Sequence, residues 1–280
     1  MQGRRPQDER ALSRAISRFV QSHAVPSARS NQIGRWHEDI CPLTTGLKPA
    51  FNDLVTRRVS EVIRGVGAPH DRSWTGCNTN VVIAFTSSPQ GLLDFIAREH
   101  HGLLGYYTSA QTRAVTTISH PIEARYVTGT RSLSSGGGSQ WAPKNGAVPD
   151  NPTGLLVDTD LGPAPGGTPG SHLGSNRRGE FMHVTVIVDA NAVAGYPLTA
   201  IADYAAMLAL TRVAPQDGCG ELPSILDLLA TGCGPEAKPA GLTDVDLSYL
   251  RALYAADDDR NVNIEQGDMS HRVLQEIRGR

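Results

Sequence analysis

Nine histidines, four cysteines and 28 carboxylates are the residues through which this 280-residue chain could do chemistry. Their spacing limits which chemistry is open. His100 and His101 are adjacent, so they point about 100° apart on a helix and to opposite faces on a strand, a poor geometry for gripping one metal ion. His183 would share a site with His172 or His120 only if the fold carried them together. No G-x-S-x-G elbow is present to expose a nucleophilic serine, and no cysteine sits in a nucleophile context. The Gly136-Gly137-Gly138 run has no strand leading into it and no Lys-Ser/Thr helix start after it, so it is not a phosphate cradle. The composition names no catalytic, cofactor-binding or metal-ligating residue, and no cofactor is expected.

The four cysteines, Cys41, Cys77, Cys219 and Cys233, are too widely spaced for a C-x-x-C redox or zinc-ribbon pattern. Two readings compete: inert buried thiols in the cytoplasm, or disulfides Cys41–Cys77 and Cys219–Cys233 in an oxidising compartment. The even count, one pair in each half and a short Gly/Pro-rich loop around the second pair favour disulfides. The first twenty residues are charged and carry no signal-peptide apolar core. Periplasmic or secreted placement therefore implies a start further upstream or a signal already removed, with the cytoplasm as the alternative.

Stepping along the chain, residues 8–20 read as an amphipathic helix with Leu12, Ile16, Phe19 and Val20 on one stripe, packing as an N-terminal helical arm over 1–33. The run 35–43 reads as a first strand ending at Pro42. Pro49 opens a helix whose Phe51, Leu54, Val55, Val59, Val62 and Ile63 recur at three and four before Gly65 closes it. Residues 77–87 are the continuous apolar run of a buried strand, and Ser88-Pro89 starts a helix ending at His100-His101-Gly102. Alternating strand and helix implies an α/β layer with a right-handed crossover. Residues 121–130 alternate as a third strand, and 181–189 form a fourth, with Met182, Val184, Val186 and Val188 facing one way and Phe181, His183, Thr185 and Ile187 the other. Between them, 129–179 turn to Gly, Ser, Pro and Asn, the composition of a partly disordered insertion or of a functional lid.

After the last strand, residues 198–211, LTAIADYAAMLALT, form a central buried helix in which Thr199 is placed to cap and five alanines allow close approach. Ala202, Asp203 and Ala206 occupy the positions at which H-E-x-x-H sets two zinc-binding imidazoles and a water-activating carboxylate on one helix face. Continued through Leu210, the stretch resembles the metzincin pattern H-E-x-G-H-x-L-G-L, with Leu208 and Leu210 matching and Ala209 in place of the glycine. LPSIL (222–226) stands where matrixin-like proteases carry a serine-containing turn with a methionine, here without the methionine. LTDVDLSYLRALY (242–254) resembles their closing helix, with Thr243 as its cap, Asp246 at the third position and Leu247, Leu250, Leu253 and Tyr254 as its apolar face. The same tail is similar to that of small families of uncharacterised bacterial envelope proteins.

The resemblance covers about the last 75 residues. It implies an α+β, zincin-like fold: a mixed sheet with packed helices, a central helix near 198–212 and the insertion 129–179, all within a single domain over 34–280. It does not imply zinc. Alanine offers no lone pair, 211–220 contains no histidine, and three protein ligands are the usual requirement of catalytic zinc. The function implied is a non-catalytic pseudo-metalloprotease of the envelope or secreted space with a protein partner. The alternatives are a hydrolase whose site lies outside the motif positions and, for the helix itself, a plain alanine-rich core helix in which Asp203 is merely hydrogen-bonded or solvent-facing rather than lining a cleft.

A net charge of −2 with scattered basic residues excludes a phosphate-backbone or anionic-lipid surface as the organising feature, so no nucleic acid is expected as a partner. No apolar run reaches the roughly 20 residues of a membrane span.

Overall fold

The computed structural model describes residues 6–26, 31–70, 77–105, 112–132, 177–213, 218–257 and 260–279. Twelve elements follow in order: α1 (Pro6–His23), β1 (Gly34–Arg35), β2 (Pro42–Thr45), α2 (Pro49–Gly65), β3 (Val81–Thr86), α3 (Pro89–Glu99), α4 (Thr112–Thr116), β4 (Ile122–Ser132), β5 (Arg177–Asp189), α5 (Leu198–Leu210), α6 (Asp244–Ala255) and α7 (Val262–Gly279). Short 3-10 turns lie at His101–Leu104, Ile225–Leu229 and Pro235–Ala237.

The fold is mixed α+β around a parallel-dominated sheet. β5 is its axis. Along one edge it pairs in parallel with β1 at Gly179 and Glu180 and with β3 from Val184 to Asp189, and β3 in turn pairs in parallel with β2. Along its other edge it pairs antiparallel with β4 over the whole length of both strands. Val184, Val186 and Val188 have no exposed surface and face α2 and α5. Ile187 turns the other way, into a smaller cluster with Leu93 and Ile96 of α3 and Leu104.

Three local readings change. The segment 35–43 is not one strand: only Gly34–Arg35 and Pro42–Thr45 pair, and Pro42 begins β2 instead of ending a strand. A proline lacks the amide that a ladder needs, so the first residue of a strand at the edge of the sheet is where it is tolerated. The two-face alternation of β5 holds only from His183 onward. A register shift opposite Val127 and Thr128 places Phe181 beside Tyr126, with ring centroids 5.3 Å apart, on the same side as Val184. An extra residue in one strand reverses the facing of what precedes it, and here that residue is Met182. Finally, Pro197 and not Thr199 stands at the N-cap of α5, without a side-chain cap.

The insertion contracts, because 129–132 belong to β4 and 177–179 to β5. The remaining residues, 133–176, lie outside the described residues, as does His172. The N-terminal helix is built into the body. Ile16 and Val20 are fully buried and α1 lies along α7. Residues 262–279, which carry Val262, Met269 and Val273 at a spacing of seven and four, form a helix that goes unassigned in the sequence. Its buried Glu265 pairs with Arg35, whose Nη1 also donates to the carbonyls of Leu253 at 2.7 Å and Ala256 at 3.0 Å.

Both expected cysteine pairs are formed, Cys41–Cys77 and Cys219–Cys233, and among the described residues no cysteine is free. Two disulfides suggest an oxidising, extracellular-type compartment. No helix among the described residues is long and apolar enough to cross a membrane.

Candidate functional site

The candidate site is α5 and what surrounds Asp203. Ten of its thirteen residues are buried, and such a helix, apolar on every side, belongs inside a protein. Ala202 and Ala206 lie on one face, as their spacing requires, but neither has any exposed surface. The helix packs against α2, β4 and β5, and small side chains permit that close approach, whereas a ring at either buried position has to displace its neighbours.

Asp203 is 3% exposed, and its carboxylate accepts three hydrogen bonds. Arg58 of α2 donates to it twice, Nε to Oδ1 at 2.6 Å and Nη2 to Oδ2 at 3.1 Å. Leu242 N–H, just before α6, donates to Oδ2 at 3.0 Å. The fork-on-carboxylate geometry is the strong, directional form of an ion pair. Gly241 is required for the third contact, because a Cβ there would stand 2.7 Å from Oδ2. Asp203 therefore fastens α5 to α2 and to the start of α6. A general base needs a free lone pair aimed at a substrate proton; here the carboxylate already accepts two hydrogen bonds from Arg58 and one from backbone, and the acceptor position left on Oδ1 is enclosed with the rest of the group.

The far end of α5 is held as firmly. The last carbonyls of a helix have no partner within it, and α5 ends without a glycine or a basic residue in its last turn. Three aromatic side chains supply the donors: Tyr126 hydroxyl to Leu208 O at 2.8 Å, Trp36 Nε1 to Ala209 O at 2.8 Å, and Tyr254 hydroxyl to Leu210 O at 2.9 Å. Tyrosine and tryptophan suit this place because a bulky apolar body fills the core while its polar tip satisfies a buried carbonyl.

The two tail elements meet. The expected capping box is present, with Thr243 accepting from Asp246 N–H and Asp246 from Thr243 N–H. Asp246 reaches further. Its carboxylate also accepts from Ser224 Oγ at 2.7 Å and Ile225 N–H at 2.8 Å, tying the LPSIL turn to α6. Burial pushes the Asp246 carboxyl up against these hydrogen bonds, which pull it down. Sequence spacing shows the cap; the bond to Ser224, 22 residues away, has no local signal.

Among the described residues the histidines do not converge. His100 and His101 are exposed, His100 with its ring edge-on to Phe95. Ser119 Oγ lies 2.9 Å from His120 Nδ1, and Glu123 Oε1 lies 3.4 Å from that same nitrogen. A catalytic triad uses the two imidazole nitrogens separately, one toward the nucleophile and one toward the acid. Here both contacts fall on Nδ1, and Glu123 also takes Ser119 N–H and His120 N–H at 2.5 and 2.6 Å. The cluster is the turn that enters β4, braced by Arg125, whose guanidinium reaches Glu123 and the Val115 and Thr117 carbonyls.

His23 and His183 are buried, and burial pushes each imidazole down to about 4. His23 Nδ1 contacts Phe19 O at 2.8 Å while its Nε2 has no hydrogen-bond partner among the described residues, and the ring stacks on Phe19. The unfolded chain takes up these protons near pH 6.5 and the folded chain only near pH 4, so the unfolded state binds more protons between those limits. Stability is full above pH 6.5 and falls as the pH drops toward 4, by about 3 kcal/mol for each histidine. Asp246, raised by burial, contributes with the opposite sign. Urea midpoints measured from pH 7.5 to pH 4 are expected to fall, and to fall less in His23→Leu and in His183→Leu; an unchanged slope in both variants contradicts the assignment.

A concavity of about 190 Å3 lies between α1 and the loop closed by Cys219–Cys233, walled by Phe19, Leu222 and Ser224. Its lining includes Arg18 and Glu221, which pair through two-point hydrogen bonds and are both more than half exposed. Comparison of this chain with protein-family models, with curated proteins and with solved structures found no match.

Proposed function

We propose that this chain is a non-catalytic protein of the envelope or secreted space, zincin-like in its last third, whose former active-site helix serves as a strut and whose role is to bind a protein partner. The observation that carries the reading is Asp203. The one residue at the motif positions able to do chemistry has its carboxylate occupied by Arg58 and Leu242 N–H, and the alanines at the two ligand positions are wholly buried. The hydrogen bond from Ser224 to Asp246 supports the family likeness, since it joins the two tail elements on which that likeness rests. The disulfides support the compartment.

The concavity beside Leu222 is the surface offered to a partner side chain, with the Arg18 and Glu221 pair able to exchange partners at its edge. The test places a photo-crosslinking amino acid at Leu222 in the full chain, in cells, and in parallel incubates purified chain and zinc with denatured casein. A discrete protein adduct that Arg18→Glu abolishes, together with no chelator-sensitive cleavage, is expected. Chelator-sensitive cleavage, or the absence of any adduct dependent on Arg18, overturns the reading.

A further inference from the structure

We propose that reduction of the Cys219–Cys233 disulfide creates a binding site for a thiophilic divalent cation, with the two sulfurs and the Asp227 carboxylate as ligands. One ligand atom from each of the three residues lies within 4.8 Å of the others. Zinc holds sulfur at about 2.3 Å and carboxylate oxygen at about 2.0–2.2 Å, so tetrahedral ligands stand between roughly 3 and 4 Å apart. Side-chain rotation alone closes the remaining distance once the sulfurs separate.

The carboxylate is already aimed. Asp227 is 3% exposed and accepts Gly220 N–H on Oδ1 at 2.9 Å and Ser224 N–H on Oδ2 at 3.0 Å. Those two bonds use one lone pair on each oxygen and leave the others. Hydrogen bonds of this kind orient a ligand and set its basicity. Capping the turn Ile225–Leu229 explains the Ser224 contact, since Asp227 is its third residue. It does not require that the same carboxylate lie against a disulfide.

Cys219 is exposed, which gives a reductant its point of attack and leaves the fourth coordination position to water, while Cys233 and Asp227 are buried beneath it. The exchange balances: two thiol equivalents reduce the disulfide to Cys219–SH and Cys233–SH and are themselves oxidised to one disulfide. The cation then displaces two protons from the pair and is held by two thiolates and one carboxylate. The oxidised pair offers no thiolate, so the site exists in one redox state only.

Cobalt(II) is the probe, because thiolate ligation gives a sulfur-to-metal charge-transfer band and tetrahedral geometry gives intense visible absorption. The full chain is titrated with cobalt before and after treatment with a phosphine reductant. One equivalent is expected to bind with both signatures only after reduction, and the signatures are expected to persist in a C41S/C77S variant. Loss of the charge-transfer band in C219S and in C233S, and weakening by at least about tenfold in Asp227→Asn with recovery in Asp227→Glu, complete the expected result. Circular dichroism on each reduced sample reports folding. Binding by the oxidised protein, a charge-transfer band that survives C219S, affinity unchanged in Asp227→Asn, or a reduced protein that is folded and fails to bind overturns the proposal. A reduced chain that has lost its fold overturns it as well, since no site then exists.

Discussion

A variant carrying Ala202→His, Asp203→Glu and Ala206→His, which rebuilds the zinc-binding motif letter for letter, is expected to lose its fold and not to regain it with zinc. Both alanines are fully buried, so each imidazole must push neighbouring side chains off their rotamers, at about 1–3 kcal/mol. Each also carries a polar ring into an apolar site, at about 1–3 kcal/mol more. Lengthening Asp203 drives its carboxylate into the space that Arg58 and Gly241 define. The sum is comparable with the roughly 5–15 kcal/mol by which domains are stable at all. Thermal melts with and without zinc decide the matter: Thr199→His, exposed on the same helix, should melt within a few degrees of the parent, while the triple variant shows no cooperative transition. Recovery of the transition by zinc would mean that the helix opens onto a cleft.

The second large effect belongs to the ion pair. Arg58→Ala leaves the Asp203 carboxylate buried with Leu242 N–H as its one remaining donor, and removal of one partner from a buried pair costs about 3–5 kcal/mol. Arg58 is 37% exposed on its side chain, so water partly compensates and about 2–4 kcal/mol is expected. Replacing both partners, Arg58→Met with Asp203→Leu, should cost less than Arg58→Ala alone, because no charge is stranded. Urea denaturation of the two variants beside the parent measures this; a double variant less stable than Arg58→Ala would show that the pair is worth more than its parts.

Elements with strong local signals could be read from the letters. The three-and-four spacing from Val55 to Ile63, the apolar run of β3 and the Thr243–Asp246 cap each depend on neighbours in sequence, and each stands where it was expected. Count and placement favoured the cysteine pairs over free thiols, and both pairs are formed. What went unread depends on contacts between distant residues. The partner of Asp203 is 145 positions away, and nothing around Arg58 marks it out from the other basic residues. Phe51 continues the apolar stripe of α2 and yet is 49% exposed, because periodicity gives the stripe and not where the neighbouring layer stops. The split of 35–43 into two short strands around buried Trp36 and Ile40 likewise reflects tertiary packing overriding a local propensity. As for the candidate site, its residue types and their common face were visible, whereas their enclosure was not.

The aromatic clamp on the end of α5 sets an order of events during synthesis. Its three donors stand 173, 82 and 44 positions from the carbonyls they satisfy, two of them before the helix and one after it. When α5 is first made, Trp36 and Tyr126 are already available, but Leu210 O waits for Tyr254, near the end of the chain. Until then the most buried of the described helices keeps an exposed polar terminus, and water holds that end open. A chain arrested before residue 254 should remain sensitive to protease throughout its core, and completing it should confer protection in a single step. Such a protein stays pliable until the helix that carries Tyr254 has been made.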